Sequence, residues 1–222
     1  MSQLPLPFGH APRYGLDDFM PSASNAAALA AVARWPEWPD RVLLLTGPEG
    51  AGKSHLARIW AARAGAALLG PDDLAGDLDG LARRNAVIED ADRAAIPEAA
   101  LFHFLNLVRE RGLSLLLTAR IPPGAWALRT PDLVSRLRLA PAVSIAPPDD
   151  ALMRAVLVKL FADRQLAVDT SLVDYLALRL ERSLDAARRA VADLDRASLD
   201  TSRRITRQLA AGLFGERRLD EE

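Results

Sequence analysis

The sequence contains no cysteine, which excludes disulfide bonds and thiolate metal sites. It also lacks a long apolar run. VLLL at 42–45 is among the longest aliphatic runs, and it is far too short to span a bilayer. The N-terminus has neither a basic start nor a long apolar stretch, so no secretory signal is predicted. These absences favour a cytoplasmic protein with no membrane partner.

The chain has no excess of basic charge either. With 28 basic and 29 acidic residues its formal net charge is −1, which argues against nucleic-acid binding by the chain as a whole and leaves only a local patch open. Its 222 residues, half of them hydrophobic, suffice for one sizeable core and a small second unit. Lysine is nearly absent, because the basic residues are arginine except for Lys53 and Lys159. A retained lysine therefore needs an explanation.

Lys53 lies in the segment VLLLTGPEGAGKSHLARIW at 42–60, which predicts a short buried strand, a glycine-rich turn and a helix. The turn satisfies the phosphate-loop pattern G-x-x-x-x-G-K-[ST], in which backbone N–H groups surround phosphate oxygens, the lysine binds the β- and γ-phosphates and the hydroxyl binds Mg²⁺. A plain glycine turn before a helix is the alternative. The predicted nucleotide-contacting residues are Gly47, Pro48, Glu49, Gly50, Ala51, Gly52, Lys53, Ser54 and His55.

A second motif, NAVIEDADR at 85–93, predicts a buried strand that ends in Glu89 and Asp90. In the Walker B arrangement the first acid of such a pair holds Mg²⁺ through water and the second orients the attacking water. Two acids after a strand also occur in solvated loops, but a phosphate loop in the same chain favours the catalytic interpretation. We predict that Ser54 and Glu89 support Mg²⁺ and that Glu89 and Asp90 take part in catalysis.

The remaining pattern predicts an α/β fold. Further strands are expected in GLSLLLTAR at 112–120 and at 143–145, with a helix before each of them. Strands that alternate with helices indicate a parallel sheet covered by helices on both faces. After residue 148 only helical patterns remain. We expect an extended peptide at 1–10, a nucleotide-binding α/β domain at 11–148, a small helical lid at 149–215 and a charged tail at 216–222.

The opening peptide MSQLPLPFGH carries closely spaced prolines, which keep it out of helices and central strands. Gln3 offers an amide, and Leu4, Leu6 and Phe8 offer apolar side chains that a pocket could bury. We therefore predict that the peptide inserts into a partner protein. Alternatively, the peptide packs on the chain's own core, or it is a proline-rich ligand for a signalling-type domain.

A phosphate-loop core followed by a small helical lid is the layout of AAA+ ATPases, and the chain resembles the DnaA-related Hda family among them. RYGLDDFMPSASNAAAL at 13–29 resembles the segment that receives adenine in DnaA-type initiators. This resemblance implies nucleotide contacts from Leu16, Asp17 and Asn25. Those initiators continue past the lid into a helix-turn-helix domain, whereas this sequence ends at residue 222, so we expect the Hda branch.

Three more segments carry the resemblance. PDLVSRL at 131–137 is similar to the family's arginine-finger motif and implies that Arg136 is the finger. ERSLDAARRAVADLDRAS at 181–198 is similar to the lid helix with the second sensor arginine, which would be Arg182. QLPLPF at 3–8 is similar to the motif with which Hda binds the sliding clamp.

The resemblance implies a negative regulator of replication initiation. Such a protein binds ADP or ATP with Mg²⁺, docks on the DNA-loaded sliding clamp (the beta subunit of DNA polymerase III) and stimulates hydrolysis of DnaA-bound ATP. Its partners are then DnaA and the clamp, DNA is reached through the clamp, and a homodimer is compatible with the role. In this mechanism Arg136 acts in trans on the nucleotide of DnaA.

Two positions depart from the family pattern. Glu89 stands where the family usually has aspartate, and Arg120 stands where an acid would help to orient water after Thr118. Both changes predict weak ATP hydrolysis by this chain. An independent AAA+ ATPase, acting as a replication loader or adaptor subunit, is the main alternative. A purely structural clamp adaptor is another, although it would not need Lys53.

Overall fold

A computed structural model describes residues 15, 18–93, 96–201 and 203–215. The predicted peptide at 1–10, the tail at 216–222, and Leu16 and Asp17 lie outside the described residues. The described part contains the strands β1 (Val42–Thr46), β2 (Ala67–Leu69), β3 (Ala86–Ile88), β4 (Leu115–Ala119) and β5 (Ala142–Ser144), and the helices α1 (Ala26–Ala33), α2 (Lys53–Ala64), α3 (Leu78–Leu81), α4 (Glu98–Glu110), α5 (Pro131–Leu139), α6 (Asp150–Asp163), α7 (Thr170–Arg179), α8 (Leu184–Thr201) and α9 (Arg207–Phe214).

The strands form one parallel sheet in the order β2-β3-β4-β1-β5. Strands β1 and β4 are buried along their whole length, as expected for the middle of a sheet covered on both faces. The short strand β2 was not predicted from the sequence. Its three residues follow the alanine-rich end of α2 in AARAGAALL at 61–69, so they do not stand out from the helix before them.

Side-chain alternation divides the core into two layers around the sheet. Leu44 of β1 packs in a cluster with residues of α4 and α5, whereas its neighbours Leu43 and Leu45 pack in a second cluster with α1 and α2. Successive residues of a strand point to opposite faces, so one aliphatic run supplies both layers. A third cluster, built from α6 to α9, forms the separate core of the helical region.

Tryptophans anchor the helix that follows the glycine-rich turn. The Trp60 ring of α2 is fully buried, and its centroid lies 5.0 Å from that of Trp38. Trp38 Nε1 donates a hydrogen bond to Ala31 O at 2.9 Å, so this contact ties α2 to α1. The cluster sets the direction of α2 and therefore the position of its first turn.

None of the helices in the described part of the chain has both the length and the apolar character needed to cross a membrane.

Candidate functional site

The glycine-rich turn joins β1 to α2 through backbone conformations that only glycine adopts easily. Gly47, Gly50 and Gly52 have φ values of +147°, +70° and +104°. A Cβ at Gly47 would lie 2.3 Å from the carbonyl oxygen of Ile145, next to the end of β5. No side chain in the described part of the chain caps the first turn of α2, and that turn holds no acidic residue. Its N–H groups are therefore available to an anion.

A cavity of about 420 Å³ opens above this turn. Five cationic side chains line it against three acidic ones, which gives it an excess of positive charge suited to a polyanion. Serine and histidine complete the polar lining. The lining residues are Glu49, Gly50, Gly52, Lys53, Ser54, His55, Arg58, Asp90, Arg93, Arg120, Asp185 and Arg188.

Lys53 is held against the turn. Its Nζ donates hydrogen bonds to the carbonyl oxygens of Gly47 at 2.7 Å and Pro48 at 2.8 Å, and the residue is only 7% exposed. Burial lowers the pKa of the Lys53 ammonium, and the nearby carboxylates, Asp90 first, oppose that shift. The structure thus places the lysine at the centre of the cavity's positive charge.

The two acids after β3 have different surroundings. Asp90 lines the cavity, and its backbone N–H donates to Thr118 Oγ1 at 3.0 Å. Glu89 does not line it. Its Oε2 lies 3.6 Å from Nη2 of Arg58. Of the predicted pair, Asp90 is therefore the carboxylate that reaches the cavity, because the turn after β3 directs the longer side chain of Glu89 toward α2.

The donor set fits magnesium held mainly by phosphate oxygens. Ser54 and Asp90 supply a hydroxyl and a carboxylate at the cavity, and Mg²⁺ in nucleotide sites usually takes one or two protein oxygens besides phosphate and water. Within the described residues no group of three or more potential ligands is close enough to hold a metal by itself.

Arg120 is held in place by an acid that the sequence analysis did not single out. The Asp92 side chain is 1% exposed, and its Oδ2 accepts hydrogen bonds from Arg120 N at 3.0 Å and Arg120 Nε at 3.3 Å. Asp92 follows Asp90 by two positions in EDADR at 89–93, and this proximity is the one feature of the sequence that could have pointed to Asp92. The pair fixes the Arg120 guanidinium in the cavity lining, at the position where the family pattern has an acid.

The predicted sensor residue Arg182 does not line the cavity, whereas another arginine of the lid does. Arg182 lies before α8, forms an ion pair with Asp150 and lines neither this cavity nor the second one described below. Arg188, on α8, lines both cavities, and its Nη1 bonds to Asp185 Oδ1 one turn earlier. The helical periodicity of α8 could have identified Arg188 once the start of that helix was known.

A second cavity of about 550 Å³ continues from the first and shares Gly52, His55 and Arg188 with it. Its lining combines apolar side chains with polar ones, as a base and sugar require. The apolar part comes from the segment before α1 and from the lid, namely Phe19, Met20, Leu152, Val156, Leu160 and Leu184.

Of the three predicted adenine-side residues only Asn25 lies within the described residues, and its side chain bonds to the backbone nearby. Asn25 is buried, its Oδ1 accepts from Ser22 N at 2.9 Å and its Nδ2 donates to Met20 O at 3.0 Å, so its amide shapes the turn that carries Met20. His55 packs edge-on against Phe19 with ring centroids 5.4 Å apart. Burial lowers the pKa of the His55 imidazole and so favours its neutral form.

The second lysine of the chain also lines a cavity. Lys159 of α6 forms ion pairs with Asp18 at 2.8 Å and with Asp163 at 3.0 Å. These hydrogen bonds, that to Asp18 first, raise the pKa of the Lys159 ammonium. Both lysines therefore lie in one continuous site, and Lys159 joins the lid to the segment before α1.

The lid touches the glycine-rich turn directly. Leu184 N donates to Gly50 O at 2.9 Å, and a Cβ at Gly50 would lie 2.0 Å from the hydroxyl oxygen of Ser183. Ser183 is buried at this contact. The start of α8 is therefore seated on the same turn that would hold phosphate.

Arg136 lies apart from both cavities. On α5, its guanidinium stacks over the Phe102 ring at 4.7 Å from the centroid and bonds to Asn106 Oδ1. Both partners belong to α4, so the exposed arginine is steadied by a neighbouring helix. The structure thus brings most of the predicted phosphate-site residues together and leaves Arg136 on a separate surface.

No protein-family model and no curated protein sequence matches the chain. Domain III of the replication initiation protein DnaA from Thermotoga maritima matches it with a TM-score of 0.79 at 18% identity, over 93% of this chain and 97% of that one. AMPPCP-bound DnaA from Aquifex aeolicus matches with a TM-score of 0.72 at 16% identity, over 86% and 67%. The RuvB Holliday junction branch migration motor of Thermotoga maritima gives 0.70 at 19% identity, over 90% and 70%. These likenesses confirm the predicted fold, a parallel α/β core followed by a helical region.

The contact between Gly50 and Ser183 gives a first prediction. Gly50→Ala should destabilise the protein more than Gly65→Ala, because both replacements meet a left-handed backbone at a cost of about 1–2 kcal/mol but only Gly65 has open space around its Cβ. Chemical denaturation measures both. Adding Ser183→Gly to Gly50→Ala should restore part of the loss, and equal effects of the two single variants would contradict the contact.

A second prediction concerns Lys53. Lys53→Ala should weaken ADP binding, measured by calorimetry, by more than about tenfold, or ~1.4 kcal/mol, because it removes the central cation of the cavity. Arg83→Ala makes the same change of charge on an exposed residue before β3, at the opposite end of that strand from Asp90, and should leave binding unchanged. Unchanged ADP affinity in Lys53→Ala would remove the phosphate-site interpretation.

Proposed function

We propose that this protein binds an adenine nucleotide with Mg²⁺ and regulates replication initiation by stimulating the hydrolysis of ATP held by DnaA. The observation that carries the proposal is the separation of two sets of functional groups. One continuous site combines a glycine-rich turn with cationic and apolar walls, while Arg136 stands exposed on α5, outside that site. A nucleotide held in the first set and an arginine offered by the second suit a protein that acts on a neighbouring subunit.

The two cavities orient the nucleotide. The second cavity, with its apolar wall, would hold the base and sugar, and the first cavity, which shares Gly52 with it, would hold the phosphates. Lys53 and Arg188 would neutralise phosphate charge. Ser54 and Asp90 would hold Mg²⁺, which would supply further charge neutralisation on the phosphate oxygens. Similarity to AMPPCP-bound DnaA supports an adenine nucleotide as the ligand.

We infer weak hydrolysis by the chain itself. A water that attacks the terminal phosphate needs an acid or amide to orient it. Asp92 is occupied by Arg120, and Glu89 lies against Arg58, so Asp90 is the one carboxylate of the EDAD stretch at the cavity within the described residues. Asp90 also serves the metal in this scheme. The bound nucleotide then has a structural role and positions the lid through Arg188.

Arg136 is the proposed finger. A guanidinium brought against the γ-phosphate of a neighbouring subunit neutralises charge that develops in the transition state, and such fingers contribute roughly 10³–10⁵ in rate. Phe102 and Asn106 keep Arg136 at the surface, so little side-chain entropy is lost when it docks. Arg182 and Glu89, by contrast, are proposed to act indirectly, through Asp150 and Arg58.

The opening peptide is the proposed tether to the sliding clamp. Gln3 would bond at the rim of the clamp pocket, and Leu4, Leu6 and Phe8 would fill it. The prolines limit the entropy lost when the peptide orders. The tether would bring Arg136 close to DnaA on DNA.

An independent AAA+ ATPase that acts as a loader or adaptor subunit is a second candidate. It is favoured by Asp90 and Arg93 in the cavity lining, because both groups could serve hydrolysis within one chain. ATP turnover by the purified protein alone distinguishes the two candidates. The proposed regulator turns over ATP slowly alone and accelerates hydrolysis only when DnaA and DNA-loaded clamp are present.

Arg136→Ala should abolish the stimulation of DnaA-bound ATP hydrolysis in a reconstituted reaction with DNA-loaded clamp, because the finger is lost. ADP binding and clamp binding should stay unchanged, since Arg136 lies outside both cavities. Arg136→Lys keeps the charge without the planar fork and should recover little. Arg83→Ala is the matched control. Normal stimulation by Arg136→Ala would rule out this residue as the finger and direct attention to Arg138.

Replacing Leu6 and Phe8 together by alanine should weaken clamp binding steeply in a pull-down, because each buried side chain contributes about 1.5–3 kcal/mol. Nucleotide affinity and melting temperature should not change. If the melting temperature falls sharply while clamp binding persists, the peptide packs on its own domain and the tether proposal fails.

A further inference from the structure

Two arginines of the lid share one aromatic ring. The guanidinium carbon of Arg179, in the last turn of α7, lies 4.9 Å from the ring centroid of Tyr175, and that of Arg207, the first residue of α9, lies 5.2 Å from the same centroid. The tyrosine is 9% exposed, so its ring is a fixed platform between the two helices. The arrangement holds two like charges near each other at the surface.

Four of the ten described arginines of the lid form ion pairs with aspartates, and Arg179 and Arg207 are not among them. Within the described residues neither Arg179 nor Arg207 has an acidic partner, and Asp174, beside Tyr175 in the chain, is bonded to Arg154 Nε at 2.7 Å. Four lid arginines do form ion pairs with aspartates: Arg154, Arg164, Arg182 and Arg188.

Two further arginines precede α9. Arg203 and Arg204 are exposed, and no described residue forms an ion pair with either of them. The backbone of Arg203 is held by two hydrogen bonds, because Arg203 N donates to Ser198 O at 3.2 Å and Ser198 Oγ donates to Arg203 O at 2.6 Å. Ile205, between them and Arg207, is buried in the lid core. These contacts attach the segment to the lid at Arg203 and Ile205.

We propose that the lid surface formed by Arg179, Arg203, Arg204 and Arg207 binds the phosphate backbone of DNA. Guanidinium groups match phosphate bidentately, and a phosphate near Arg179 and Arg207 would relieve the repulsion between them. Double-stranded DNA carries one negative charge per about 1.7 Å of axis, so it can engage several arginines at once. The Tyr175 ring is buried and offers no stacking surface, which favours backbone contact without sequence preference.

This surface is distinct from the nucleotide cavities, since none of its four arginines lines either of them. The proposal therefore does not depend on the function proposed above. The 29 acidic residues of the chain offset its 28 basic ones, so the net charge of −1 does not reveal this basic surface.

The test is fluorescence anisotropy with the full chain and a labelled 20-base-pair duplex of arbitrary sequence, titrated at several salt concentrations. The wild type should bind, with affinity falling as salt rises. Arg179→Ala/Arg207→Ala should bind at least tenfold more weakly at 50 mM salt, and the slope of log K against log salt should become shallower by about 1.8, as for two lost phosphate contacts. Melting curves verify that the variant is folded.

Arg83→Ala/Arg84→Ala is the matched control, because it removes two exposed arginines before β3, outside the lid. It should leave both affinity and slope unchanged. An equal loss in this control would overturn the proposal, and so would a wild type that does not bind at 50 mM salt. Displacement of the duplex by polyglutamate at equal charge concentration would also overturn it, in favour of an acidic protein partner. Arg179→Lys/Arg207→Lys should recover only part of the lost affinity, because lysine keeps the charge without the bidentate fork of arginine.

Discussion

The close winding of the chain between β1 and α2 is the constraint on which the rest of the site depends. Gly47 lies so near Ile145 that a side chain would strike the end of β5, and Gly50 lies so near Ser183 that a side chain would strike the lid. The same turn thus contacts the sheet on one side and α8 on the other. The turn therefore connects the core to the lid beside the cavity.

Charge in this site is arranged by pairing. Arg120 is held by buried Asp92, Arg188 by Asp185, and Lys159 by Asp18 and Asp163, so each cation keeps a defined position while the cavity as a whole stays positive. Lys53 differs, because backbone carbonyls hold it instead of a carboxylate. No carboxylate of the described residues forms an ion pair with its ammonium, so that charge can interact with a phosphate. The two lysines of an otherwise arginine-based chain both belong to this one site.

The lid combines two surfaces with different roles. Its inner side, through Leu152, Val156 and Leu184, forms the apolar wall of the second cavity. Its outer side carries the arginines around Tyr175, where pairing with acids is missing among the described residues. Contact between Leu184 N and Gly50 O ties the inner side to the phosphate turn.

The sequence by itself determined the α/β class, the glycine-rich turn and the helix that begins at Lys53, because these depend on local patterns of aliphatic runs and glycine spacing. It missed β2, whose residues continue the alanine-rich stretch at the end of α2 and do not stand out from it. It also could not decide which polar side chains reach the cavity. Asp90 rather than Glu89, and Arg188 rather than Arg182, line it because the direction of the turn after β3 and the first residue of α8 set the side-chain directions. Those features arise from packing between segments far apart in the chain, so only the tertiary structure decided them.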